Sequence, residues 1–165
     1  MRTYMRLLFF VLLLGFSCKG MTQIMPVGDL FRVLEMGKDE MKDYLASRGY
    51  ILSETDSSDQ TLIRYYTALG KLDSSSSVWS VTYQQSSYKG YEGRILVYRT
   101  YNPDELSSFQ SYISVNGYRL SESYKKEDAE EIFYRKEDKV IHLTKTFHQL
   151  ENGKKVYAYA IELGG

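Results

Sequence analysis

A single cysteine and two prolines are scarce among 165 residues, and each scarcity removes an explanation. Cys18 has no internal partner, so no disulfide staples the fold. With no cysteine beyond it, a zinc site would need carboxylates from elsewhere. The two histidines, His142 and His148, lie six residues apart in and beside one predicted strand, about 20 Å along its axis. They cannot share a metal, and the sequence points to no metal and no cofactor. With only Pro26 and Pro103, extended linkers have no basis. Basic and acidic residues number 21 each, so the formal net charge is zero and the field a nucleic-acid binder needs is missing. Nor is there a G-x-S-x-G nucleophile elbow or a Gly-rich phosphate loop opening a helix. The pairs Glu130–Glu131 and Glu127–Asp128 fall in a charged hairpin turn, where carboxylates are usually solvated. The expectation is a protein that is not an enzyme.

What is present is a globular composition, 43% apolar and 25% charged, with 16 tyrosines against 7 phenylalanines and one tryptophan. At the start, Arg2 and Arg6 precede the apolar run "LLFFVLLLGF" from Leu7 to Phe16. That run has signal-peptide length and is too short for a permanent membrane span. Residues 1–17 therefore read as an export signal, followed by a short tether over 18–27. Cys18 resembles the lipid-carrying cysteine of bacterial lipoproteins, following the small residue Ser17. The alternative is cleavage after Gly20 or nearer Gln23, which yields a soluble periplasmic or secreted protein. Either way the expected address is the cell envelope, as an outer-membrane lipoprotein facing the periplasm or surface, or as an exported soluble protein.

From Met41 onward the chain repeats itself. "YLASRGYILSE" from Tyr44 aligns with "YISVNGYRLSE" from Tyr112, and Met41 matches Phe109 at the same offset. Each copy opens with a predicted helix. In the second, Asn102 is an N-cap, Pro103 suits the first helical position, and Leu106, Phe109, Tyr112 and Ile113 form one stripe that Gly117 ends. The first copy has Asp39, Met41, Tyr44, Leu45 and Gly49, with a further short helix predicted over roughly 30–36. Four predicted strands follow each glycine: "YILSET", "TLIRYYTAL", "VWSVTYQQ" and "GRILVYRTY", then "YRLSESY", "EEIFYRK", "KVIHLTKTF" and "KKVYAYAIEL". Turn letters separate them, including Asn152-Gly153. The expected fold is α+β: two tandem α-β4 repeats, about 28–101 and 102–165, joined in a single domain over 28–165. Its antiparallel sheet has about eight strands, with helices on one face.

That layout, together with the Gly49-Tyr50 and Gly117-Tyr118 junctions, resembles the tandem α-β4 architecture of beta-lactamase-inhibitor-protein-like and related bacterial envelope modules. The likeness covers about residues 28–163. It implies a two-layer fold and permits a binding role, and it transfers no functional residue.

The tyrosines carry the functional expectation. Helices cover one sheet face, so an outward Tyr-rich face would bind a protein or peptide of the envelope. In "KKVYAYAIEL", Tyr157, Tyr159 and Ile161 share one register with Leu163, and Val156, Ala158 and Ala160 share the other. Small alanines suit close helix packing, which assigns Tyr157, Tyr159 and Ile161 to the open, partner-binding face. Trp79, Val81 and Tyr83 likewise share one face, open or core. The readings left beside a binding module are a small envelope hydrolase and a self-associating structural protein.

Overall fold

The computed structural model describes residues 25–72, 75–149, 153 and 155–164, with side chains except at 69–72, 75–78, 148, 155 and 156. The signal segment 1–17, Cys18, the tether to residue 24 and Asn152 lie outside the described residues. In chain order the elements are α1 (Val27–Glu35), α2 (Lys38–Ser47), β1 (Ile51–Ser57), β2 (Thr61–Leu72), β3 (Ser75–Tyr88) and β4 (Tyr91–Thr100). They continue with α3 (Pro103–Val115), β5 (Arg119–Lys125), β6 (Ala129–Lys136), β7 (Lys139–Gln149) and β8 (Lys155–Gly164). The eight strands form one antiparallel sheet in the order β1-β2-β3-β4-β8-β7-β6-β5. The α+β class is therefore as expected, with β4 and β8 at the centre and β1 and β5 at the edges.

Both junction helices stop for the same reason. At Gly49 and Gly117 the backbone takes φ of 85° and 74°, a left-handed turn that costs glycine little. That turn lets Tyr50 N–H reach the Leu45 carbonyl at 3.0 Å and Tyr118 N–H reach that of Ile113 at 3.2 Å. Gly49 and Gly117 bond one residue further on, to Ala46 and Ser114, completing a Schellman cap at each site. At the other end of α3, the Asn102 side chain accepts from Asp104 N–H at 3.0 Å. No neighbour crowds a Cβ at Gly117, so Gly117→Ala pays only for its backbone angle. A loss of about 1–2 kcal/mol is expected in urea denaturation. An unchanged midpoint would show that the cap contributes nothing.

The rest of the junction places side chains on opposite faces. Leu52 pairs with Tyr66, whereas Glu54 pairs with Tyr65, because the register shifts between them. The same shift separates Leu120, opposite Tyr134, from Glu122, opposite Phe133. Ser53 sits in the first bulge and donates its hydroxyl to the Tyr65 carbonyl at 3.0 Å. One extra residue turns Glu54 and Glu122 away from the helices, and it also bends both edge strands. Bulges and charges on edges disfavour strand-to-strand association between molecules.

The three described helices all pack on one face. Leu30, Val33, Met41, Leu45, Phe109 and Ile113 meet Tyr66, Trp79, Val81, Tyr83, Leu96, Tyr98, Ile141, Leu143, Ile161 and Leu163 in one core. Between the described helices and the sheet lie large buried side chains, among them Tyr50, Tyr66, Tyr83, Tyr98 and Phe109. This reverses the expected registers. Tyr159 is 6% exposed and Ile161 1%, both on the helix side with Leu163. Ala158 and Ala160 occupy the open face. Trp79, Val81 and Tyr83 are core. Thus most of the tyrosines in mid-strand serve the interior rather than a binding surface.

Candidate functional site

Pairing across the sheet makes the open face readable as rows. One row runs without a break through Glu54, Tyr65, Thr82, Val97, Glu162, His142, Phe133 and Glu122, one residue from each strand. It starts and ends on the glutamates of the two junctions, with an aromatic ring next to each. A neighbouring row carries Thr67, Ser80, Arg99, Ala160, Thr144, Glu131 and Tyr124. None of these side chains is buried, because no described helix covers them.

The densest part of the face lies on β5–β7. The Phe133 and His142 rings stack with centroids 4.1 Å apart and 8° between planes. Tyr124 meets Phe133 edge-on at 6.0 Å, and its hydroxyl bonds to the Glu122 carboxylate. That bond to an anion raises the Tyr124 phenol above its ordinary pKa. His142 Nε2 lies 3.6 Å from Glu131 Oε2 and 3.2 Å from Thr144 Oγ1. The Lys126 ammonium donates to Glu131 at 2.6 Å and holds its carboxyl below the usual range.

A hydroxyl, an imidazole and a carboxylate in reach of one another invite a test for nucleophilic catalysis. A relay needs the two ring nitrogens to face the nucleophile and the acid separately. Here Thr144 and Glu131 both face Nε2, so the ring cannot take a proton from one while being held by the other. Cavities of about 240, 400 and 380 Å³ occur on the protein, and His142 lines none of them. Among the described residues no group of three or more His, Cys, Asp or Glu could hold a metal ion.

The residues singled out from sequence fare differently. Tyr159 and Ile161 are beneath the helices and form no surface. Tyr157 is 47% exposed, but it lies on the helix-side register, beyond the reach of the helices. Cys18 is outside the described residues, and among those described no helix is long and apolar enough to cross a membrane. The face that is open had one trace in the sequence: the Glu of the repeated "GY.LSE", whose direction depends on the bulge. Compared with protein-family models, curated proteins and solved structures, the chain matches none.

Proposed function

We propose that this chain is a non-enzymatic binding module of the cell envelope, recognising a protein or peptide through the open face of its sheet. The observation that carries the reading is the uncovered row bounded by Glu54 and Glu122, with Tyr65 and Phe133 inside them. Aromatic rings give large contact area at low entropic cost, and Thr82 and Val97 leave the middle low enough for a partner to seat. The flanking carboxylates favour a partner with an apolar centre and basic margins. In this reading the halves are copies of one unit of the inhibitor-protein-like kind, which supplies Glu and aromatic at both ends. Residues 1–17 direct export, and Cys18 carries a lipid or is removed with a later cleavage.

A photo-crosslinking residue at Thr82 is expected to give a discrete adduct with an envelope protein or peptide. The same group at Ser107, exposed on α3, should give none. Tyr65→Ala with Phe133→Ala should abolish the Thr82 adduct. Equal adducts from both positions, or an adduct indifferent to the double substitution, would remove the open face from consideration.

A further inference from the structure

A second site lies on the opposite face, where the sheet outruns its helices, and it is independent of the open-face reading. The two halves share the backbone frame there. Ser58 N–H bonds to the Thr61 carbonyl at 2.8 Å, and Lys126 N–H to that of Ala129 at 2.8 Å. Ser87 N–H reaches the Gln60 carbonyl at 2.8 Å, and Phe147 N–H reaches that of Asp128 at 3.0 Å. The side chains hung on this frame differ completely. Where the first half pairs Ser87 with Glu92, the second pairs Phe147 with Tyr157. Gln85 opposite Leu62 becomes Lys145 opposite Glu130. The first half thus acts as an internal control: the hairpin folds without the aromatic pair.

Helix cover differs too. Before α2 the first half has α1, whose Glu35 carbonyl accepts from Arg94 at 3.4 Å, on the strand that carries Glu92. No helix stands in that place before α3. What remains beside β7 and β8 is a cavity of about 240 Å³, lined by Lys125, Asp128, Glu130, Lys145, Phe147 and Tyr157 among others. The Phe147 and Tyr157 rings meet at 65° with centroids 5.9 Å apart, and the Lys145 ammonium stands 4.3 Å from the Tyr157 centroid.

We infer that this cavity binds one neutral sugar ring of a glycan. Its rim carries as many ammonium groups as carboxylates, so a charged ligand meets repulsion on one side whichever sign it has. A pyranose has no net charge, an apolar C–H face to lie on an aromatic ring, and neighbouring hydroxyls that both donate and accept. Lys125 and Lys145 supply donors only, and Asp128 and Glu130, ionised, acceptors only. A hydroxyl satisfies either kind. The volume is small for a drug-sized ligand and holds a single ring with its neighbours in solvent.

The test uses saturation-transfer NMR on the full chain with maltose, cellobiose and N,N′-diacetylchitobiose, and with acetate and choline as charged probes. At least one disaccharide should receive saturation, and neither charged probe should. Phe147→Ser with Tyr157→Glu, which installs the residues of the first half, should weaken the bound disaccharide at least about tenfold while lowering the thermal midpoint by no more than a few degrees. Lys145→Gln, again the first-half residue, provides a milder variant if the double one unfolds, and it should weaken binding measurably. Saturation of charged probes alone, of no disaccharide, or of a disaccharide that both variants bind normally would overturn the proposal.

Discussion

Tyr159→Ala is expected to cost about 3–5 kcal/mol of folding stability, the range for truncating a large aromatic in a core. The ring sits between Lys145 on β7 and Thr100 on β4, on the helix side of the central strand β8. It is 6% exposed, and its burial raises the phenol above its ordinary pKa. Tyr157→Ala, two residues earlier in the same register, should behave otherwise. That ring is about half exposed and touches chiefly Phe147 and the Lys145 ammonium. A cation–π contact at such a site is worth roughly 0.5–1 kcal/mol, and the substitution should cost about that. Urea denaturation of the two variants separates the cases directly. Equal losses would mean that the helices cover both rings or neither.

The second large effect concerns Glu105, 6% exposed in the first turn of α3. The Tyr98 hydroxyl donates to its Oε2 at 2.5 Å, and Tyr50 lies against Tyr98 in turn. Beside them Trp79 Nε1–H and Asn102 N–H both donate to Thr100 Oγ1 at 3.0 Å. Glu105 Oε1 is buried with no hydrogen-bond partner. Burial raises the Glu105 carboxyl above its usual pKa of 4.5, against the opposing pull of Tyr98, Thr100, Trp79 and Asn102. The fold therefore prefers the neutral acid. Above pH 4.5 the unfolded chain releases this proton while the folded one still holds it, so stability falls as pH rises toward the folded pKa. Glu105→Gln keeps an acceptor for Tyr98 without a charge, and its stability should stay flatter between pH 4.5 and 8 than the parent's. Glu105→Ala removes the carboxyl acceptor of the buried Tyr98 hydroxyl and should lose about 1–3 kcal/mol at any pH in that range. Parallel pH profiles for parent and Gln variant would argue that the carboxyl is charged in the fold.

The helix ends, the eight strands and the two-layer class were legible because each rests on neighbours in sequence. Asn102-Pro103 starts α3 by local bonding and geometry, and Gly117 stops it by a backbone angle that glycine adopts most readily. Even α1 was visible, displaced by a few residues, as a short helix over roughly 30–36. The candidate site was not legible in the same way. Alternation in "KKVYAYAIEL" says that Tyr157, Tyr159 and Ile161 share a face, but it holds equally for both faces. Choosing between them took the packing of the described helices, which bury Tyr159, Ile161 and Leu163 and leave Ala158 and Ala160 on the other side. The bulges at Ser53 and Ser121 add a second reversal, since one inserted residue exchanges faces for everything beyond it.

By itself, then, the order of residues determined where helices and strands begin and end, because capping, turn angles and alternation act over a few positions. It also set a neutral charge balance and withheld a second cysteine. The tertiary structure alone decided which side of the sheet is core. It alone aligned Glu54, Tyr65, His142, Phe133 and Glu122 from distant strands into one row, and it left Phe147 and Tyr157 without cover from the described helices. Those outcomes depend on strand order and on where three helices settle over eight strands. Burial on one face is won collectively by residues far apart in the chain, and no local pattern of letters records it.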